Sequence, residues 1–87
     1  MKIKEGFVLR EVAGSFIVVA VGEAIKSFNG IVNLNETGAF LWKILEKGAT
    51  KDELIAKLLE EYDVDEKTAS EDVDIFINKL SEAKLVR

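Results

Sequence analysis

Histidine and cysteine, the side chains that most often move protons at neutral pH or ligate zinc, do not occur anywhere in this chain. Cysteine-ligated zinc, iron–sulfur ligation, thiol catalysis and imidazole acid–base chemistry are therefore excluded, and so is a disulfide framework. Carboxylates and lysines remain. Glu60-Glu61 and Glu71-Asp72 are the adjacent acidic pairs that acid–base work would need. On a helix, neighbouring positions point about 100° apart, so such pairs diverge, and a catalytic pair also needs burial to move its pKa values. They read as solvated acidic faces. Gly22, Gly30, Gly38 and Gly48 are scattered singly and build no phosphate loop. The expectation is a protein without catalytic residues, metal ligands or cofactor.

The elements that would position any binding site follow from patterning. Residues 7–12 and 15–21 are rich in Val, Ile and Phe, with Ala13-Gly14 between them as a turn, which predicts a hairpin. Both faces of the second run are apolar: Phe16, Val18 and Ala20 on one, Ile17, Val19 and Val21 on the other. That predicts a central strand covered on both sides. Asn29-Gly30 is a two-residue type I′ turn signal and places a short third strand at residues 31–34, at the edge of an antiparallel meander. Asn35 then caps a helix on which Phe40, Leu41, Ile44 and Leu45 share a face. Trp42 lies off that face and is either a second buried face of a wedged helix or a partner-facing aromatic.

Thr50-Lys-Asp-Glu53 is a capping box, flanked by Ala49 and Leu54 as a hydrophobic staple, and opens a second helix with a stripe of Leu54, Ile55, Leu58, Leu59 and Tyr62. Asp65 caps a third, running to about Lys84, with Ala69, Val73, Phe76, Ile77, Leu80 and Ala83 facing the core. Ile75 shares a flank with Asp72 and Lys79, and is either a scattered surface residue or the floor of a groove. Leu85-Val86 returns as an extended tail. With no Pro, linker or repeat, residues 1–87 read as a single domain. The fold class expected is α+β: an N-terminal three-stranded antiparallel sheet followed by a three-helix bundle, like a winged helix-turn-helix.

That likeness raises DNA binding, and charge argues against it. The second helix sets Lys51 and Lys57 against Asp52, Glu53, Glu60 and Glu61; the third sets Lys67, Lys79 and Lys84 against a larger number of carboxylates. Neither neutralises phosphates, and the formal net charge is −4. A small winged-helix regulator or a protein–protein scaffold stands as the alternative function. The longest apolar run, residues 16–21, is far short of the roughly 20 residues of a membrane span, and the start lacks a signal peptide's apolar core. No nucleic acid and no membrane are expected as partners, and the cytoplasm is the expected location. What remains is the edge. Ile31, Val32, Asn33 and Leu34 include no Lys or Pro to guard unpaired backbone groups. An open edge beside a helix flank suits β-augmentation by an extended peptide.

Leu34-Asn-Glu-Thr-Gly-Ala-Phe-Leu-Trp42, Gly48-Ala-Thr50 opening a helix, Glu61-Tyr-Asp-Val64, Glu71-Asp-Val73 and residues 80–86 together resemble the PqqD family over nearly the whole chain from Phe7 onward. The resemblance implies a winged helix-turn-helix-like fold and a non-catalytic recognition element for ribosomally synthesised, post-translationally modified peptides. The namesake serves pyrroloquinoline quinone (PQQ) biosynthesis; others serve lasso peptides and thioether-bridged peptides. In the family, the leader of a precursor peptide adds as a strand between the third strand and third helix and is presented to a modifying enzyme, often a radical SAM enzyme. Carried over, the strand is Ile31, Val32, Asn33 and Leu34 and the helix is residues 66–84. Helical geometry then selects Asp72, Ile75, Phe76 and Lys79, with the opposite flank at Asp74 and Ile77 left open. A monomer or a strand-swapped dimer is expected.

Overall fold

The computed structural model describes residues 1–28 and 30–87. The turn expected at Asn29-Gly30 falls on Asn29, which lies outside the described residues.

Three helices begin where a side chain can satisfy their first free N–H groups. The Asn35 side-chain oxygen accepts from the Gly38 N–H at 2.7 Å and starts α1, Glu36–Leu45. The Thr50 hydroxyl accepts from the Glu53 N–H at 3.1 Å while the Glu53 carboxylate accepts from the Thr50 N–H at 3.0 Å, a closed capping box at the head of α2, Lys51–Glu61. Asp65 accepts from the Thr68 N–H at 2.7 Å and starts α3, Glu66–Glu82. The third helix stops short of the expected Lys84, which takes up a left-handed φ of 59°. From there the chain turns into the tail, with the Leu85 N–H reaching back to the Leu80 carbonyl at 2.9 Å.

The sheet comprises β1, Phe7–Val12, β2, Ser15–Ala20, and β3, Val32–Leu34, antiparallel in the order β1-β2-β3. Ala13 and Gly14 both have positive φ, 51° and 81°, the handedness that a two-residue hairpin loop needs to match strand twist. β2 is central, as its apolar content predicts, and ends one residue before the expected Val21. A 3-10 helix, Gly22–Lys26, follows it. β3 begins at Val32, so Ile31 lies just outside the ladder. The tail pairs with the N-terminal segment: Ile3 and Val86 form an antiparallel bridge, the Lys4 N–H donates to the Leu85 carbonyl at 2.8 Å, and the Arg87 N–H donates to the Lys2 carbonyl at 2.9 Å.

The register sets Leu9, Val18 and Val32 side by side on one face, with Phe16 opposite Leu34 on that same face. That face joins Leu41, Trp42, Leu45, Leu54, Leu58, Val73 and Leu80 in the core. The alternate positions of the strands, Val8, Ile17 and Val19, stand outside the core cluster, and the expectation that β2 is covered on both faces is corrected accordingly. Trp42 is fully buried, and its indole N–H donates to the Glu46 carboxylate at 3.3 Å. The buried face of α1 is therefore centred on Leu41, Trp42 and Leu45, with Phe40 and Ile44 half-buried on its margin. On α2 the stripe is narrower than expected, since Leu59 is exposed beyond the buried Leu54 and Leu58.

Candidate functional site

β3 alternates strictly: Val32 and Leu34 are buried and Asn33 between them is exposed. In an antiparallel strand the N–H and C=O of one residue point to the same side. The Asn33 carbonyl accepts a hydrogen bond from the Lys79 ammonium of α3, so both backbone groups of Asn33 face away from β2 and toward α3. The edge that was expected to lie unguarded is thus covered by a lysine from another element, one of the ordinary ways in which sheets protect an edge.

On α3, Asp72, Ile75 or Phe76, and Lys79 recur at one-turn spacing along the flank that faces β3. Phe76 is buried, Asp72 half-buried, Lys79 exposed, and Ile75 is 66% exposed. The Asp74 flank points elsewhere, because Asp74 pairs with Lys51 of α2 at 2.6 Å. Between β3 and α3 lies a cleft of about 410 Å³, walled by Asn33 and Leu34 on one side and by Asp72, Ile75, Phe76 and Lys79 on the other. α1 supplies its floor through Thr37, Gly38 and Leu41. A methyl group on Gly38 would meet the Asn35 side-chain oxygen at 3.2 Å and the Leu34 Cβ at 3.3 Å, so glycine lets the start of α1 seat closely against β3.

The structure thus brings Asn33, Leu34, Asp72, Ile75, Phe76 and Lys79 together around one cleft. Two residues of the expected set stand apart: Val32 is buried in the core, and Ile31, 55% exposed, lies beside the cleft without lining it. Thr37, Gly38 and Leu41 were not expected there. Their i, i+1, i+4 spacing places them on one face of α1 and was the available signal. The reach of Lys79 to Asn33 has no sequence signal, spanning 46 positions.

Chemically, the cleft offers an apolar lining from Leu34, Leu41, Ile75 and Phe76, a strand edge, and one charge of each sign. Asp72 and Lys79 stand two turns apart, about 10.5 Å along the helix axis. Among the described residues no group of acidic side chains is placed to hold a metal ion, and no helix is long and apolar enough to cross a membrane. Such a cleft fits an extended polypeptide: edge groups take its backbone and the lining takes alternate side chains.

The family model for coenzyme PQQ synthesis protein D (PqqD) matches residues 7–86. No curated protein sequence matches the chain. Among solved structures, TbiB1 in complex with the TbiA(beta) leader peptide superposes with a TM-score of 0.78 at 23% identity, over 100% of this chain and 95% of that one. Lasso peptide synthetase B1 complexed with the leader peptide superposes with a TM-score of 0.75 at 17% identity, over 99% and 95%. At these identities the likeness establishes a shared α+β architecture.

Proposed function

The chain belongs to the PqqD family, and from that premise we propose that it is a recognition element for the leader of a ribosomally synthesised precursor peptide. The leader adds as a strand to the outer edge of β3, lies in the cleft against α3, and is held for a modifying enzyme, often a radical SAM enzyme. The observation that carries this reading is the backbone of Asn33 turned toward α3 across an apolar cleft. Ile31 precedes the ladder and continues the line of the edge, where its main chain is offered to the added strand for hydrogen bonds while its side chain lies outside the cleft. Affinity comes from these bonds and from peptide side chains seated against Leu34, Ile75 and Phe76, while Asp72 and Lys79 discriminate by charge.

The chain acts by binding, and catalysis belongs to the partner enzyme. Residues 1–87 form one such domain, working in the cytoplasm, as a monomer or as a dimer that exchanges its edge strand. Both structural neighbours are complexes with a leader peptide, which supports the peptide as ligand here. The test is titration of isotope-labelled protein with the leader peptide encoded beside this gene, following backbone amide shifts. Perturbations confined to residues 31–34 and the cleft flank of α3 are expected. Saturating peptide with no shift at either place would overturn the reading.

A further inference from the structure

The bond between Lys79 and Asn33 occupies the carbonyl that an added strand has to use. In the free protein the edge is therefore closed by an ammonium group, and binding is an exchange. A peptide N–H replaces Lys79 at the Asn33 carbonyl, and the ammonium is left beside the bound strand at the wall of the cleft. Among the described residues Lys79 makes no ion pair: the pairs are Lys26–Glu23, Lys51–Asp74 and Lys57–Glu60, and no carboxylate lies within pairing distance of Lys79. Asp72, the acid on the same flank, is two turns away.

Resting on the peptide-recognition reading above, we propose that Lys79 is a specificity-determining latch, and that the groove selects a peptide with an acidic side chain next to the residue bonded to Asn33. Such a carboxylate recaptures the displaced ammonium, so the charge-assisted bond broken at the carbonyl is replaced by another of at least equal strength. A carboxamide in that place replaces it with a weaker one, and a lysine sets two ammonium groups against each other in a partly desolvated cleft. Asp72 repels the same acidic side chain at the other end of the flank, which fixes the register in which the peptide can lie.

The probe is the leader peptide encoded beside this gene, together with versions in which each Asp or Glu is changed singly to Asn or Gln, titrated against the wild-type protein and Lys79→Met. One carboxamide version is expected to lose about five- to tenfold in affinity for the wild type and less than twofold for Lys79→Met. The affinity of the unmodified leader should fall with salt for the wild type and change little for Lys79→Met. Lys79→Glu should recover binding to the peptide whose critical acid is changed to Lys. Because the Lys79 side chain is exposed, unchanged melting temperatures are expected and separate these effects from unfolding. A leader that binds the wild type with every carboxamide version equal to the parent, or that has no acidic residue, overturns the latch and leaves the peptide-recognition reading standing. A leader that does not bind the wild type at all overturns that reading, and the latch with it.

Discussion

Thr50 and Asp65 each hold a helix end by bonds to groups only three positions away, and Ile75 holds nothing in the fold. Thr50→Ala removes a cap and should lower stability by about 1 kcal/mol, read by urea denaturation at neutral pH. The Asp65 carboxyl lies below its ordinary pKa, first because it accepts from the backbone N–H of Thr68 and second through the Thr68 side chain. Glu53 is lowered likewise by the backbone N–H of Thr50 and then by its hydroxyl. Groups lowered in this way add stability fully above their ordinary values and lose it as pH falls through the lowered ones. The urea midpoint should therefore start to fall below about pH 5, where free carboxylates begin to protonate, and Asp65→Asn should flatten part of that fall. Ile75→Glu, at an exposed position, should leave the melting temperature nearly unchanged and weaken leader binding by tenfold or more, since it sets a charge against a peptide side chain in the cleft; a variant that melts early would mean that Ile75 supports the core. At this scale the sequence is most readable for caps, because their partners are fixed by local spacing, and least readable for Lys79, whose partner is brought near only by the folded chain.

The first helix shows where reading by element succeeds and where it stops. Its start at Asn35 follows from the cap, and its burial follows from the density of apolar side chains, but which face is deepest depends on what lies opposite. α1 is wedged against β3, α2 and α3, so a face turned toward Leu41, Trp42 and Leu45 is buried while Phe40 and Ile44 are left at the margin. Trp42→Ala should cost about 3–5 kcal/mol and leave the domain close to unfolding at 37 °C, whereas Trp42→Phe should cost less; thermal melts decide both. β2 shows the converse. Its apolar residues on both faces identify a central strand correctly, yet apolar side chains do not reveal whether a layer exists to cover them. For the cleft, helical spacing selects Asp72, Ile75, Phe76 and Lys79 as one flank. Contacts made only in the folded chain show which way that flank turns: Lys79 reaches Asn33 of β3, and Asp74 on the other flank pairs with Lys51 of α2.

Across the whole molecule, residues near the two ends of the chain pair through one antiparallel bridge, with the Arg87 N–H 2.9 Å from the Lys2 carbonyl. The hairpin loop at Ala13 and Gly14 is exposed at a strand end and is not part of the cleft lining, although Gly14 borders a neighbouring hollow with Asn33 and Leu34. These two facts make the order of the chain separable from its shape. Joining residue 87 to residue 1 through a short glycine-serine linker and opening the chain between Ala13 and Gly14 should yield a circular permutant with the same sheet order, since termini that already meet add little closure entropy. Its circular dichroism spectrum and leader affinity should match those of the parent. The new ends would then sit at the tip of the β1–β2 hairpin, so a leader peptide or an enzyme could be tethered from a different corner of the same domain, and the effect of tether position on modification could be measured without altering the groove.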